Sequence, residues 1–453
     1  MATLAHPDRR RFSETIKPKI GAVGVDLRKY LPLTLLLYSI LLPYEVRAEL
    51  SGQIIYPYRA VIILSIIWIL KRLRDKSLRL HLFDIIMFIG ALWIPISFVH
   101  AYGVFDGTLR GASITLDVGG SYLIARLTIA NMNDLRRVLI LFAPGIFISA
   151  TVLAIESVTH VRIIKPWAQS IFGMRAGLEG IAQKDELFIR LGLLRASGPF
   201  AHPILAGLVL TSAMAIYLSS GLRKWPWYAG VASGLLSFFT VSSAALLGLL
   251  IVFAATAFDR INRFVTFVSW RLVLVLGSVA LTVVHFASQN GIVSILIRFT
   301  LDPQTGYYRK LTWTYGSASV AKNPLFGIAL APFDRAAWMS TSIDTYWLAV
   351  AVRHGLIVPI AFLLCAVLVL YGVAKRAGAQ PSEIERRAHV GLAISLFTIT
   401  LLGFTVSYYG GALVWYFALL GICGSIAAPL SQPRALSSRV QTVRSPRRPL
   451  LIR

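Results

Sequence analysis

Long apolar runs separated by short polar segments make up most of this sequence. A run of roughly 20 apolar residues crosses a bilayer as an α-helix, because the helix satisfies its backbone hydrogen bonds internally. Only 14% of the 453 residues are charged, and a soluble globule of this size would need far more polar surface. The sequence therefore predicts an all-α polytopic membrane protein.

About twelve runs are long enough to span the membrane, so we predict about twelve transmembrane helices. They lie near residues 30–46, 55–70, 82–100, 111–130, 137–155, 200–219, 226–241, 243–258, 270–287, 344–373, 389–407 and 411–428. The two runs on either side of Thr240 to Ala245 are separated only by a tight turn, so they are the least distinct pair.

The distribution of Lys and Arg predicts the orientation. With a cytoplasmic N-terminus, cytoplasmic segments carry about twice as many of these residues as external ones, in agreement with the positive-inside rule. We therefore expect both termini in the cytoplasm, with a basic segment at 1–29, a membrane bundle at 30–430 and a disordered tail at 431–453. Two large external loops, at about 156–197 and 288–343, contain most of the external cations.

The net charge of +25 does not indicate nucleic-acid binding, because the cations form short clusters between apolar runs. Such clusters are typical of segments that lie beside anionic membrane lipids. The two cysteines, Cys365 and Cys423, are inside apolar runs, which excludes a disulfide framework. No P-loop, serine elbow, paired-cysteine motif or carboxylate cluster appears in the external loops. We predict chemistry without a metal or other cofactor.

One candidate binding segment runs from Arg195 to Pro203, before the sixth predicted span. Gly198 and two prolines at a helix start allow a sharp turn that leaves backbone amides free. Together with Arg195, these amides could hold a phosphate. The alternative is an ordinary helix start with proline near its first turn, in which His202 is a hydrogen-bonded interface residue.

A second candidate segment lies in the long polar stretch from Ser288 to Ser342, which also contains Arg298. Aromatic residues flank Arg309 and Lys310, and Trp313 follows them. Aromatic rings beside an arginine suit sugar stacking and diphosphate binding, because the guanidinium is a bidentate donor. The same aromatic residues could instead form a belt at the membrane interface.

A third candidate is Asp344, at the start of the long run 344–373. It could cap a helix, or it could act as a general base toward a hydroxyl substrate. Arg353 and His354 follow in the same run, near mid-membrane if the helix is continuous. Ionisable groups at that depth indicate function, although pairing with an acid such as Asp117 is an alternative.

The order and spacing of these motifs resemble the O-antigen ligase and polysaccharide polymerase family of bacterial envelopes. The similarity covers about 198–370 and rests on Arg195-x-x-Gly198-x-Phe200-x-His202-Pro203, Arg309-x-x-x-Trp313, Asn323-Pro324-x-Phe326-Gly327, and Asp344-Thr345 with Gly355 after nine residues. Asp344 stands where ligases have histidine, so the chain looks more like an exopolysaccharide polymerase than a lipid A–core ligase.

The resemblance implies a metal-independent glycosyltransferase at the outer face of the bacterial inner membrane. It would transfer oligosaccharide from undecaprenyl diphosphate to a sugar hydroxyl of a glycan acceptor, with a chain-length regulator and a flippase as partners. Arg195 and Arg309 would bind the diphosphate, and Asp344 would orient or deprotonate the acceptor. Further substrate contacts are expected from His202, Lys310, Trp313, Arg298, Arg126 and Arg353.

Three other functions stay open. Within the family, the chain could be an O-antigen ligase. A polysaccharide exporter or small-solute transporter would show internal repeats and discontinuous helices, and only Arg353 and His354 favour it. A lipid-phosphate-sugar glycosyltransferase would have a long acidic first external loop, whereas the one here is short and holds only Glu45 and Glu49.

Overall fold

The computed structural model describes residues 27–50, 53–74, 80–172, 189–262, 269–287 and 303–428. The predicted tail at 431–453 and nearly all of the basic segment at 1–29 lie outside these ranges. Within them the protein is mainly helical, with two short antiparallel hairpins. One hairpin pairs β1 (Ala48–Leu50) with β2 (Gln53–Ile55), and the other pairs β3 (Ile189–Arg190) with β4 (Leu193–Leu194).

The α-helices are numbered here in chain order. They are α1 Leu31–Ser39, α2 Pro57–Leu64, α3 Ile66–Arg74, α4 Leu82–Tyr102, α5 Val104–Thr115, α6 Ser121–Thr128, α7 Met132–Thr159, α8 Ile164–Phe172, α9 Pro203–Ser219, α10 Trp225–Leu236, α11 Ser243–Ile261, α12 Trp270–Ala287, α13 Pro303–Lys322, α14 Tyr346–His354, α15 Ile357–Gly378, α16 Glu383–Leu402 and α17 Gly411–Ala427. A π-helical segment, Leu116–Gly120, joins α5 to α6, and a 3₁₀ turn, Ser237–Thr240, follows α10.

Among the described residues, four helices are long and apolar enough to cross a membrane: α4, α7, α11 and α15. Helices α9 and α17 are apolar but shorter. This confirms an all-α membrane protein by length and composition. Helical residues lie within every predicted span, although several spans consist of two shorter helices. The count of about twelve spans and the orientation of the termini stay predictions.

Helices α9 and α17 form the centre of the bundle. Every residue from Leu205 to Tyr217 and from Val414 to Ile426 is buried, as expected for helices that are apolar on all sides. The Trp415 indole donates a hydrogen bond to Ser212 Oγ at 2.8 Å, and this bond satisfies both groups in a dry interior. The central helices thus support the loops that connect their ends.

Ion pairs are concentrated at one end of the bundle, where α4 and α16 begin. They include Lys29–Asp134 at 2.6 Å, Arg126–Asp84 at 3.1 Å, Arg136–Glu385 at 2.6 Å and Arg386–Asp259 at 2.8 Å. We call this the basic end. We call the opposite end, which carries both hairpins and α13, the loop end. The positive-inside rule predicts that the basic end faces the cytoplasm.

The prediction of one continuous helix over 344–373 is wrong. Helix α14 ends at His354, Gly355 has φ +79°, and α15 begins at Ile357. His354 Nδ1 is hydrogen-bonded to Ser97 Oγ at 2.8 Å, and Ser97 lies in the last two turns of α4. Arg353 and His354 therefore lie at a helix break near the loop end, and not in the middle of a span.

Two predicted roles for charged residues inside the bundle are also wrong. Asp117 does not pair with Arg353 or His354, because Arg59 Nε and Nη2 donate to its carboxylate at 2.9 and 2.5 Å. Arg126 presents no surface to a substrate, because its side chain is fully buried in an ion pair with Asp84. It joins α4 and α6 to the end of α17, where it also donates to the carbonyl of Ala428.

Candidate functional site

Arg195 follows the β3–β4 hairpin at the loop end. Leu191 (φ +55°) and Gly192 (φ +74°) form the tight turn of this hairpin. Ser157 Oγ, in the last turns of α7, donates to the carbonyl of Leu194 at 2.7 Å. The hairpin is thereby fixed to the bundle, and this contact sets the position of Arg195, whose side chain is partly buried.

Glu156, which is not among the residues predicted from the sequence, organises the segment after Arg195. Its buried carboxylate accepts hydrogen bonds from the amides of Ile163 at 2.8 Å, Ile164 at 2.9 Å and Gly198 at 3.1 Å. An acid is unfavourable in the last turn of a helix, because it faces the negative end of the helix dipole. An acid in the last turn of a mainly apolar helix is the signal in the sequence that hydrogen-bond donors surround it.

The prediction that this segment presents free amides to a phosphate is wrong for its central residues. The Gly198 amide binds Glu156, and the Phe200 amide donates to the carbonyl of Ser197. His202 is the N-cap of α9, and its Nδ1 accepts from the amide of Ile204 at 3.2 Å. The alternative of a proline-containing helix start is confirmed for His202. Any anion bound here would depend on side chains.

Arg309 lies in helix α13, in a region that the sequence predicts as a polar loop. The buried positions of α13 recur at helical spacing and form one face: Gly306, Arg309, Thr312, Gly316, Ser319 and Val320. A Cβ added at Gly316 would lie 2.7 Å from Leu348 Cδ2, so small residues let α13 approach α14 closely. Arg309 lies on this inward face.

Arg195 and Arg309 lie within electrostatic reach of each other and of Arg190. Burial, Arg190 and Arg309 lower the pKa of Arg195 to about 10. Burial also lowers the pKa of Arg309, and the Asp344 carboxylate partly opposes this effect. The buried Nε of Arg195 and that of Arg309 each lack a hydrogen-bond partner among the described residues. A partly buried and a buried guanidinium, each with an unused Nε donor, can together hold an anion.

Asp344 is exposed and is not a helix cap, so that alternative is wrong. Thr345 is the N-cap residue of α14, and Asp344 accepts a hydrogen bond from Ser342 Oγ at 3.2 Å. Ser342 Oγ is also hydrogen-bonded to Ser340 Oγ. The backbone amide of Ser340 in turn donates to Tyr308 Oη at 2.7 Å. This chain of hydrogen bonds ties the Asp344 segment to α13, one residue from Arg309.

A tyrosine that the sequence analysis missed lies beside Asp344. Tyr409, between α16 and α17, is 42% exposed. Burial raises the pKa of Tyr409 to about 12, and the nearby Asp344 carboxylate contributes to this rise. The phenol therefore stays protonated at neutral pH and can donate a hydrogen bond. The loop end thus combines an arginine pair, an exposed carboxylate and a phenolic donor.

The other predicted site residues have different positions. Trp313 donates its indole N–H to the carbonyl of Phe404 at 3.3 Å and packs against a small apolar cluster, so it anchors α13. Lys310 is partly buried beside Arg309. Arg353 is exposed at the helix break. Arg298 lies outside the described residues.

The Asn323–Gly327 motif and the two residues after it form backbone hydrogen bonds with the break between α14 and α15. The amides of Ile328 and Ala329 donate to the carbonyls of Val352 and Arg353 at 2.8 and 2.9 Å. The amide of Leu356 in turn donates to the carbonyl of Pro324. These bonds satisfy groups that the end of α14 would otherwise leave unpaired. The motif therefore has a structural role that holds α13 and α14 in a fixed relation.

The substitution Gly355→Ala is expected to destabilise the protein by about 1–3 kcal/mol. Gly355 has φ +79°, and an added Cβ would lie 2.0 Å from the carbonyl oxygen of Leu325. Thermal unfolding in detergent and limited proteolysis of the α13–α14 connection would measure the effect. Gly378→Ala is the matched control, since its Cβ would meet nothing within 4 Å. Equal unfolding temperatures for the two variants would contradict the close contact.

A comparison of the chain with protein-family models found no match, and a comparison with curated proteins found no significant similarity.

Proposed function

We propose that this protein is a membrane glycosyltransferase that uses a polyprenyl-diphosphate-linked oligosaccharide, and that it polymerises oligosaccharide repeats of exopolysaccharide or O-antigen type. One observation carries the proposal: the partly buried Arg195 and the buried Arg309 lie within electrostatic reach of each other with unused Nε donors, and the exposed Asp344 carboxylate acts on Arg309. The order of the sequence motifs gives independent support. The loop end would face the periplasmic side of a bacterial inner membrane.

A diphosphate fits the arginine pair on electrostatic grounds. Two guanidinium groups repel each other, and burial increases the free-energy cost of both charges. A diphosphate spreads its negative charge over two phosphoryl groups, and each guanidinium can donate two parallel hydrogen bonds to one of them. An anion of this shape would therefore offset the repulsion and use the unpartnered Nε atoms.

The proposed reaction is a single displacement at the anomeric carbon of the donor sugar. The acceptor hydroxyl oxygen forms a bond to this carbon, while the bond from the carbon to the diphosphate oxygen breaks. The electron pair of that bond goes to the diphosphate, where Arg195 and Arg309 stabilise the developing charge. The hydroxyl proton goes to the Asp344 carboxylate, which Ser342 Oγ orients. The products are the extended glycan and polyprenyl diphosphate.

Elongation by purified protein tests this proposal. The full chain in detergent is incubated with a polyprenyl-diphosphate-linked repeat, with and without a metal chelator. The expected results are a ladder of longer glycans on a gel and release of polyprenyl diphosphate in both conditions. If one glycan is transferred to a different acceptor without elongation, the ligase alternative is correct. Absence of any transfer would contradict the proposed glycosyltransferase activity.

A transporter is the second candidate, because the break at Gly355 divides a predicted span into two helices. Broken helices in transporters coordinate ions or substrates through unpaired backbone groups. Here the carbonyls of Val352 and Arg353 accept hydrogen bonds from Ile328 and Ala329, so they are already occupied. Uptake of labelled glycan by proteoliposomes, without elongation, would favour the transporter.

The substitution Asp344→Asn is expected to lower elongation by about 100-fold or more, the usual contribution of a general base. The amide keeps the size of the side chain but cannot accept the hydroxyl proton. The gel assay measures the rate, and membrane fractionation measures insertion. Asp334→Asn is the matched control, because Asp334 is an exposed acid in the same loop that pairs with Lys322. Equal activity of the two variants would show that Asp344 is not the general base.

A further inference from the structure

A cavity lies at the basic end of the bundle, whereas the arginine pair lies at the loop end. It has a volume of about 270 Å³ and is formed by the 219–223 connection, Trp227 of α10, the end of α11 and the start of α16. Gly221 (φ +75°) shapes the connection, and an added Cβ would lie 2.5 Å from Ile384 Cγ2. The cavity therefore depends on a turn that only glycine adopts without strain.

Arginines from three elements line this cavity: Arg223, Arg260 and Arg387. Asp259 also lines it, but both of its carboxylate oxygens accept from Arg386 at 2.8 Å. Arg387 donates through Nε to Glu383 at 2.7 Å. Arg223 and Arg260 are exposed and make no ion pair with any described residue. The cavity thus keeps a positive charge after its carboxylates are paired.

A buried hydroxyl gives an independent indication of a ligand. Thr256, in α11, lines the cavity and is 8% exposed, and its Oγ1 has no hydrogen-bond partner among the described residues. A threonine in a helix usually satisfies its hydroxyl through the carbonyl one turn earlier. An unsatisfied buried hydroxyl costs free energy unless a ligand supplies a partner.

We propose that this cavity binds a phosphate group, with Arg223, Arg260 and Arg387 as cationic donors and Thr256 Oγ1 as a neutral donor. The phosphate belongs to the headgroup of an anionic phospholipid or to free inorganic phosphate. The lipid is favoured because α11, next to the cavity, exposes Phe253 and Ile261, which are 45% and 57% accessible. Such a surface suits acyl chains. Bound phosphate would link α10, α11 and α16 at their charged ends.

Thermal unfolding of the full chain in detergent tests this site. The protein is titrated with phosphatidylglycerol, with phosphatidylcholine and, separately, with inorganic phosphate. The variants are Arg223→Gln combined with Arg260→Gln, and Thr256→Val. The matched control is Lys71→Gln combined with Arg74→Gln, which removes two exposed cations at the end of α3, away from the cavity.

Phosphatidylglycerol is expected to raise the unfolding temperature of the wild type, whereas phosphatidylcholine is not. The pocket double variant is expected to bind phosphatidylglycerol about 30-fold more weakly, and the control double variant nearly as well as the wild type. A shift with inorganic phosphate that equals the lipid shift would identify the soluble ion as the ligand. Equal losses in the pocket and control variants, or no shift with either probe, would overturn the proposal. If Thr256→Val binds phosphatidylglycerol as tightly as the wild type, the Thr256 hydroxyl is not a donor to the phosphate.

Discussion

The substitution Arg309→Met is expected to reduce glycan elongation by about 10²–10³-fold, the effect of removing one donor that stabilises developing negative charge. Methionine keeps an unbranched stem inside the protein but removes the guanidinium. Arg309→Lys should recover only part of the rate, because an ammonium group carries the charge without the bidentate fork. Lys322→Gln is the matched control, since Lys322 ends the same helix in an exposed ion pair.

The same variant separates a binding role from a structural one. The buried Nε of Arg309 has no partner among the described residues, so removing its charge should raise the thermal stability of the ligand-free protein. Inorganic diphosphate should stabilise the wild type and lose this effect in Arg309→Met. A variant that unfolds at a lower temperature than the wild type, and still responds to diphosphate, would show that Arg309 only supports the fold.

Removing one partner of the Arg126–Asp84 pair is expected to cause the largest loss of stability, about 3–5 kcal/mol. Both side chains are fully buried; Tyr122 Oη and the amide of His81 also donate to Asp84, and Arg126 donates to the carbonyl of Ala428. Arg126→Met leaves an unpaired carboxylate in the interior, and Asp84→Leu leaves an unpaired guanidinium. Yield of folded protein and unfolding temperature in detergent would measure both losses.

The double variant Arg126→Met, Asp84→Leu provides the internal control. It removes both charges together, so it should regain most of the lost stability. It should also retain elongation activity, because Arg126 has no exposed surface for a substrate. A double variant that is folded but inactive would contradict a purely structural role and would show that Arg126 takes part in substrate binding.

The parts of the site that could be predicted from sequence are those that depend on chain position. Arg195 and Asp344 precede apolar runs, and Arg309 lies in the polar loop before the second of these runs, so the predicted sidedness alone puts all three at the same end of the bundle. The roles of Trp313, His202 and the Asn323–Gly327 motif could not be read in this way. Aromatic and glycine residues serve packing and helix ends as readily as ligands, and only their contacts distinguish these uses.

The sequence by itself determined the class of fold, the places of the apolar helices and the segments that carry unpaired charge, because hydropathy and charge are local properties of the chain. Only the tertiary structure decided which cations have partners. Arg126 pairs with Asp84, an acid 42 positions earlier in the chain. The Gly198 amide donates a hydrogen bond to Glu156, also 42 positions earlier. The Nε atoms of Arg195 and Arg309, in contrast, have no partner among the described residues. The break at Gly355 also depends on hydrogen bonds to a distant loop. Such pairings follow from contacts between residues far apart in sequence, and no local pattern encodes them.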